Sequence, residues 1–279
     1  SLVEQIKSAV PSSGGGTSSD DDEYEEGSVD ADVGTELRAE LERLRKQITM
    51  ADDKTVSKDV ATFDPDAPAA LPVGVPELPD DFRRTETIET LQQKLLRSSK
   101  PTKVGFWGMG GIGKTVTGAA IVRDDDVRDH FDQIVWLPLG QTPVMEKLQS
   151  LASEQLTGKP MEPNLSDEEK RSALREAFKG KRVLLALDDL WEEEHQGPLN
   201  FVDESCGSRV LISTRVRHLL SDCFSVEIDK PSVEDSIKIL MAAAELPRTD
   251  RAPSEAREIV ELCGRLPLAL VMAGKLILE

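Results

Sequence analysis

The sequence predicts an α/β fold in which a parallel sheet is covered by helices on both faces. Short apolar stretches alternate with helical patterns between residues 81 and 230, and strands that are joined through helices pair in parallel with right-handed crossovers. The stretch Val183–Leu187 contains only apolar residues, as expected for a strand that is buried on both faces. A glycine-rich turn follows the first strand and opens a helix, which indicates the first βα unit.

The elements of this fold can be assigned in order along the chain. The capping box Ser166-Asp-Glu-Glu169 opens a helix that ends at Gly180, and the apolar spacing over 144–152 predicts another helix. We therefore expect the sheet domain to span residues 81–230. Its other predicted elements are the helices Glu86–Leu96 and Lys114–Val122 and the strands Lys103–Trp107, Gln133–Leu137, Val183–Leu187, Arg209–Ser213 and Ser225–Ile228.

Only helices are predicted after the sheet, over 232–244, 254–262 and 267–279, and they define a helical subdomain of residues 231–279. The last of them is apolar on nearly every side, and such a helix belongs inside a larger body. The chain begins at Ser1 instead of Met and ends within this helix. We therefore expect it to be a fragment of a longer protein.

Residues 1–80 are predicted to lie outside the sheet domain. Residues 1–35 include an acidic run and little to bury, which predicts a disordered tail that is either a solvated tether or a target of phosphorylation. Residues 36–50 are predicted to form a short amphipathic helix, either alone or as a coiled-coil helix for self-association, and the prolines of residues 51–80 are typical of an extended linker. The apolar seam of the helix consists of Leu37, Leu41, Leu44 and Ile48.

Composition excludes several classes of partner. The net charge is -18 with no basic stripe, which argues against nucleic acid, and no stretch approaches the ~18 consecutive apolar residues of a membrane span. The three cysteines, Cys206, Cys223 and Cys263, are too far apart for a metal site or a disulfide framework. They suit a reducing compartment, so we expect a cytoplasmic protein.

A phosphate-binding loop, the P-loop, is predicted at Gly108–Thr115, where Gly-Met-Gly-Gly-Ile-Gly-Lys-Thr follows a strand and opens a helix. Glycines let backbone amides approach phosphates closely, and the helix N-terminus adds its positive dipole end. Lys114 is expected to reach the β- and γ-phosphates of a nucleotide, and Thr115 to bind Mg²⁺ through its hydroxyl. The predicted ligand contacts are Gly108, Met109, Gly110, Gly111, Ile112, Gly113, Lys114, Thr115 and Val116.

Two further motifs supply charged groups at strand ends. Asp188 follows the apolar strand, where its carboxylate is expected to bind Mg²⁺, and Asp189 is expected to orient an attacking water. Another strand ends in Thr214-Arg215, and this arginine is expected to contact the γ-phosphate and to report its loss. The alternatives from the residues alone are a solvated loop acid for Asp189 and a surface cation for Arg215.

The ordered set of motifs resembles the NB-ARC family of signalling ATPases, which belongs to the STAND class of P-loop proteins. The resemblance runs from about Leu78 to Glu279 and rests on GMGGIGKT, HFDQIVWLPLG, KRVLLALDDLW, GSRVLISTR and CGRLPLAL. Plant disease-resistance proteins and the apoptosome-forming ATPase of animals are members. The resemblance implies a switch in which ADP keeps a closed form, ATP opens it and promotes oligomerisation, and slow hydrolysis resets it.

The resemblance also implies an architecture and further site residues. The sheet order should be 5-1-4-3-2, followed by a helical ARC-type subdomain, and the partners should be signalling proteins and other copies of the chain. Pro267 should pack near the adenine, and Phe82–Arg84 should contact the base. The residues expected to act in catalysis are Lys114, Asp189 and Arg215, and the expected Mg²⁺ ligands are Thr115 and Asp188.

The sequence departs from the family at Arg265, where glycine is usual, and we expect an altered turn that leaves Pro267 in place. No winged-helix subdomain or sensor repeat is visible, so this piece is expected to bind nucleotide without completing the switch. Two other functions fit the same loop. One is a kinase of a small molecule or nucleotide, with Arg215, Arg217 and His218 in a lid. The other is a module that keeps ADP as a structural cofactor without turnover.

Overall fold

The described part of the chain consists of a parallel sheet with flanking helices, followed by a helical subdomain. The computed structural model describes residues 67–80, 82–97, 102–246 and 254–278. The predicted tail 1–35, the predicted helix 36–50 and the linker up to residue 66 lie outside the described residues. The helices are α1 (Glu86–Arg97), α2 (Lys114–Val122), α3 (Asp125–His130), α4 (Met145–Thr157), α5 (Asp167–Phe178), α6 (Val233–Ala243), α7 (Ser254–Leu262) and α8 (Pro267–Leu278), and the strands are β1 (Lys103–Trp107), β2 (Gln133–Pro138), β3 (Val183–Leu190), β4 (Arg209–Thr214) and β5 (Phe224–Glu227).

The five strands form one parallel sheet in the order β2-β3-β4-β1-β5, which confirms the predicted order. The pairing of β3 with β4 is regular from Leu184 to Leu187 and shifts before Leu190. The irregular stretch contains Asp188 and Asp189, and such irregularities redirect side chains at the end of a strand. Because all strands are parallel, the ends of β1, β4 and β3 meet at one edge of the sheet.

Both faces of the sheet are buried because the strands alternate between two apolar cores. Leu184 and Ala186 of β3 lie in the core that α1, α2 and α3 cover, whereas Leu185 and Leu187 lie in the core under α4 and α5. Successive side chains of a strand point to opposite faces, so a strand without polar residues needs a cover on each side. The continuous apolar pattern of this strand is thereby explained.

The segment 67–80, which the prolines predict to be extended, contains no helix or strand and packs along the sheet domain. Ala69 is buried in the core on the α2 side. Arg123 at the end of α2 donates from Nε to the carbonyl of Pro76 at 2.9 Å, and Arg128 of α3 donates from Nε to the carbonyl of Ala69 at 2.9 Å. Side chains of the domain therefore satisfy backbone groups of the extended segment.

The helical subdomain consists of α6, α7 and α8 around a small apolar core that includes Leu240 and Leu270. Helix α8 approaches α6 closely because Gly274 has no side chain: an added Cβ would lie 2.5 Å from Cβ of Ala243. The described residues cover one side of α8 only, and neither it nor another helix among them is long and apolar enough to cross a membrane. The exposed apolar residues of α8 are Leu268, Met272, Leu276 and Leu278.

The turn between α7 and α8 places a non-glycine residue in the left-handed region. Gly264 has φ 59° and Arg265 has φ 57°. Their amides donate to the carbonyls of Glu261 at 2.9 Å and Val260 at 3.1 Å, which is the pattern of a Schellman helix ending. This conformation costs an L-residue roughly 1–2 kcal/mol, whereas glycine adopts it freely. Pro267 then begins α8.

Arg265→Gly is expected to raise the free energy of unfolding by about 1 kcal/mol, because glycine relieves the strain of the left-handed backbone. Urea denaturation followed by circular dichroism measures the change. Arg265→Ala is the matched control, since it removes the charge but retains Cβ, and it should change the free energy of unfolding by less than about 0.5 kcal/mol. Equal stabilisation by both variants would contradict this explanation.

Candidate functional site

The P-loop lies between β1 and α2 and turns at its glycines. Gly111 has φ 78° and Gly113 has φ 104°, values that residues with a side chain rarely adopt. Gly113 is the residue that caps the start of α2, so the amides of the first helical turn face the loop. Free amides and the positive end of a helix dipole both favour a bound anion. The local backbone is therefore suited to phosphate.

Two side chains from other elements contact the P-loop where it lacks side chains of its own. A Cβ on Gly110 would lie 2.9 Å from Nη1 of Arg215, and a Cβ on Gly111 would lie 3.0 Å from Cβ of Leu268. The amide of Leu268 also donates to the carbonyl of Gly111 at 3.2 Å. The segment after β4 and the first turn of α8, which begins at Pro267, therefore both adjoin the P-loop.

Lys114 is the buried cation of the P-loop, with 6% of the residue exposed. Its Nζ donates to the carbonyls of Gly108 at 3.1 Å and Met109 at 3.0 Å. Burial lowers the pKa of Lys114, and the positive charge of Arg215 lowers it further, while the two carboxylates at the end of β3 oppose both effects. The ammonium is thus desolvated in a position where an anion would compensate its charge.

Asp188 is a buried carboxylate whose two oxygens are both hydrogen-bonded. Thr115 Oγ1 donates to Oδ2 at 2.9 Å, and Ser213 Oγ donates to Oδ1 at 2.6 Å. Burial raises the pKa of Asp188 above its ordinary value, and the hydrogen bonds from Ser213 and Thr115 counteract that rise. The two residues predicted to bind Mg²⁺, Thr115 and Asp188, are therefore in direct contact.

Asp189, Trp191 and Arg215 form a second cluster beside the P-loop. Asp189 has φ 56°, and its amide donates to Ser213 Oγ at 2.8 Å. Its Oδ2 accepts from Trp191 Nε1 at 3.0 Å, and its Oδ1 accepts from Arg215 Nε at 3.4 Å. The guanidinium carbon of Arg215 lies 4.8 Å from the centroid of the Trp191 ring, a cation–π contact. The residues predicted for catalysis thus lie together at this edge.

The other residues predicted to contact the nucleotide differ in their exposure and in their location. Met109 is exposed, while Ile112 is buried, and Val116 lies in the first turn of α2. Arg84 pairs with Asp124 at 2.6 Å, beyond the end of α2 that is opposite the P-loop, and its expected contact with the base stays a prediction.

The nearby cation Arg217 does not join the cluster of Arg215. Its guanidinium carbon lies 5.3 Å from the centroid of the Trp107 ring. His218 follows it in a short 3₁₀ turn, Arg217–Leu220. The kinase alternative requires these residues in a lid over a substrate, and the stacking of Arg217 on β1 gives no support to that arrangement.

Sequence reasoning did not identify three residues that contact the predicted site. Ser213 bonds to Asp188 and Asp189, and its signal is a hydroxyl near the end of an otherwise apolar strand. The sequence could have indicated Trp191 through its position two residues after Asp189. Leu268 contributes a backbone amide, for which the sequence carries no signal.

The donor groups at this edge fit a nucleotide phosphate and a divalent cation. Glycine positions, helix amides and Lys114 suit an anion, and the Thr115 hydroxyl and Asp188 carboxylate are the oxygen donors that Mg²⁺ prefers. Mg²⁺ usually uses one or two protein groups together with waters and substrate phosphates, so this pair suffices. In the part of the chain that the structure describes, no group of three or more His, Cys, Asp or Glu side chains could bind a metal.

Comparison with known proteins agrees with this geometry. The NB-ARC domain family matches residues 84–242 of the chain. Family membership supports nucleotide binding, with the P-loop and Asp188 inside the matched range.

The chain is similar to proteins much longer than itself. Disease resistance protein RPM1 of Arabidopsis thaliana is 30% identical over 201 residues, which are 65% of this chain and 22% of that protein. Apoptotic protease-activating factor 1 of Danio rerio is 30% identical over 234 residues, which are 77% of this chain and 18% of that protein. A solved STAND protein with a tetratricopeptide repeat sensor from Pyrococcus horikoshii superimposes with a TM-score of 0.45 at 15% identity, covering 70% of this chain and 30% of that one. The chain spans about a fifth of the length of the curated relatives it matches.

Ser213→Ala is expected to lower the free energy of unfolding by about 1–3 kcal/mol, because buried Asp188 Oδ1 and the Asp189 amide lose their partner. Chemical denaturation measures the change. Ser225→Ala, at an exposed serine of β5, is the matched control and should have an effect below about 0.5 kcal/mol. A Ser213 variant as stable as this control would show that the hydroxyl does not stabilise the site.

Proposed function

The chain belongs to the NB-ARC family, and we propose from this premise that it binds ADP and ATP at the P-loop and uses their exchange as a signalling switch. The observation that carries the proposal is the meeting of three elements at one edge of the sheet. These are the P-loop after β1, Asp188 at the end of β3 and Arg215 after β4. The hydrogen bond of Thr115 to Asp188 and the contact of Arg215 with Gly110 link them.

The nucleotide phosphates would bind to the P-loop amides and to Lys114. The Lys114 ammonium donates to two carbonyls, and phosphate oxygens are stronger acceptors because they are charged. Burial and Arg215 disfavour the charged form of Lys114, and an anion nearby would favour it again. A bound polyphosphate would therefore stabilise the buried ammonium of Lys114 more than water does.

Thr115 and Asp188 would bind Mg²⁺ together with the phosphates. When bound, Mg²⁺ neutralises negative charge on the β- and γ-phosphate oxygens. The hydroxyl and the carboxylate are already in contact, and Ser213 bonds to the other oxygen of Asp188. These bonds restrict rotation of the carboxylate, which lowers the entropy lost on binding.

Two contacts of the P-loop would distinguish ATP from ADP and transmit the difference. Arg215 would contact the γ-phosphate, which only ATP has. Helix α8 contacts the loop through the amide of Leu268, and Pro267 at its start would lie beside the adenine. A ligand shifts a conformational equilibrium only through its unequal affinity for the two states. The γ-phosphate would provide that inequality and α8 would respond to it.

Slow ATP hydrolysis would reset the switch. Asp189 would orient a water whose oxygen bonds to the γ-phosphorus while the bond from that phosphorus to the β–γ bridging oxygen breaks, giving ADP, phosphate and a proton. Both carboxylate oxygens of Asp189 accept hydrogen bonds, one from Trp191 and one from Arg215. These two bonds restrict rotation of the carboxylate and so fix the direction in which it would hold the water.

The relatives suggest the setting in which the switch acts. Their names describe a disease resistance protein and an apoptotic protease-activating factor. By analogy the chain would act in the cytoplasm, in a pathway of defence or cell death, with other signalling proteins and further copies of itself as partners. A kinase is not favoured, because family membership supports the switch.

Lys114→Ala is expected to abolish measurable binding of ADP and ATP, since it removes the buried cation of the P-loop. Titration calorimetry in the presence of Mg²⁺ measures the affinity. Lys147→Ala is the matched control, because this lysine of α4 is exposed, and it should bind like the native chain. Nucleotide released by denaturing the purified native chain should be ADP. A folded native chain that neither releases nor binds an adenine nucleotide would overturn the proposed function.

Arg215→Ala is expected to retain the ADP affinity of the native chain and to lower its ATP affinity about tenfold, the scale of one charge-assisted hydrogen bond. Calorimetry with ADP and with a non-hydrolysable ATP analogue gives the ratio. Arg217→Ala is the matched control, because it also removes an arginine that stacks on a tryptophan. If the ATP-to-ADP affinity ratio is the same in the native chain and both variants, Arg215 does not distinguish ATP from ADP.

A further inference from the structure

We propose, on the basis of the function above, that Trp191 is a positioning residue of the switch. It orders Arg215 and Asp189 beside the P-loop, and Arg215 leaves it when a γ-phosphate binds. One indole ring contacts both partners. Its Nε1–H donates to Asp189 Oδ2 at 3.0 Å, and its face lies 4.8 Å from the guanidinium carbon of Arg215.

The ion pair between Arg215 and Asp189 is too weak to order Arg215 by itself. Its Nε–Oδ1 distance is 3.4 Å, and the two side chains are 44% and 27% exposed. Exposed pairs of this kind contribute little, because solvent screens them and a long side chain loses rotamer freedom. Tryptophan offers the most favourable aromatic face for a cation, and the ring also restricts the guanidinium sterically. The position of Arg215 against Gly110 therefore depends mainly on Trp191.

Asp189 also depends on Trp191. A φ of 56° is unusual for a residue with a side chain, and such conformations persist where surrounding contacts impose them. Ser213 Oγ accepts a hydrogen bond from the backbone amide of Asp189 at 2.8 Å, and Trp191 Nε1 donates one to the Asp189 carboxylate. Without the indole N–H, one carboxylate oxygen would lose its partner and the side chain would rotate more freely.

The same contacts allow Arg215 to be released. A γ-phosphate carries more negative charge than a carboxylate and accepts several N–H donors of a guanidinium at once. Arg215 would exchange the long bond to Asp189 for these bonds and would move off the indole face. Trp191 therefore has two separate roles. The face of its ring positions Arg215 when no γ-phosphate is bound, and its N–H orients the carboxylate of Asp189.

Two substitutions separate the face of the ring from its N–H. Trp191→Phe retains an aromatic face and should keep the ATP-to-ADP affinity ratio within about twofold of the native value. It should also slow single-turnover hydrolysis about tenfold, because Asp189 loses an orienting bond. Trp191→Leu removes both contacts and should raise the affinity ratio about fivefold, because Arg215 no longer gives up the stack on the indole when it binds the γ-phosphate. Unchanged ADP affinity in all variants shows that the chain remains folded.

Fluorescence and nuclear magnetic resonance observe the contact itself. Addition of a non-hydrolysable ATP analogue, but not of ADP, should change the tryptophan fluorescence of the native chain, and this response should be lost in Trp191→Phe. Without nucleotide, Arg215→Ala should shift the indole N–H resonance of Trp191. Arg217→Ala, the control for the stack on Trp107, should shift that of Trp107 instead and keep the native affinity ratio.

The outcomes distinguish this proposal from the function on which it rests. Native nucleotide binding together with a native affinity ratio in Trp191→Leu would overturn the role of Trp191 and leave the switch intact. An Arg215→Ala variant that leaves the Trp191 resonance unmoved would also overturn it. Failure of the native chain to bind either nucleotide would overturn the proposed function, and the role of Trp191 with it.

Discussion

The site depends on how one buried carboxylate, that of Asp188, is satisfied. Removal of a charged group from water costs more than a single hydrogen bond returns, so a carboxylate in this position requires donors at both oxygens. Thr115 supplies one donor from the first turn of α2, and Ser213 supplies the other from β4. The carboxylate therefore fixes the ends of β3 and β4 relative to the P-loop. That alignment also brings the segment after β4, which carries Arg215, beside Gly110 of the P-loop.

Two residues with a strained backbone lie near elements that contact the P-loop. Asp189 has φ 56° directly after Asp188, and Arg265 has φ 57° just before α8 begins at Pro267. Backbone strain persists where the surrounding structure imposes it, and it concentrates at ligand-binding and switching sites. One strained residue carries the acid that faces Arg215, and the other sets the direction of the helix that contacts Gly111. Both lie at elements that the proposed switch would move.

The sequence allowed the sheet, the P-loop and its acid to be predicted because each rests on a local pattern. An apolar run followed by Asp188 identifies a strand end without knowledge of its neighbours. The strand order came from the resemblance to a family, since spacing alone does not order parallel strands. The contacts of Ser213 depend on the irregular register between β3 and β4, and those of Trp191 on the left-handed Asp189. Neither feature can be recognised reliably in a single sequence, because each depends on contacts between segments that meet only in the folded protein.

The site divides into a part with buried, doubly hydrogen-bonded charges and a part with exposed, weak contacts. Lys114 and Asp188 are buried, and each makes two hydrogen bonds, the lysine to carbonyls of the P-loop and the aspartate to Thr115 and Ser213. Either charge would move only towards a partner that replaces those bonds, as a phosphate would for Lys114. Arg215 is 44% exposed with a single long ion pair, and Leu268 is 56% exposed and bonds to the P-loop through one amide. Water can replace these contacts at little cost. In the proposed switch a γ-phosphate would need only to outcompete weak contacts to change the second part, while the first part would bind the phosphates that ADP and ATP share.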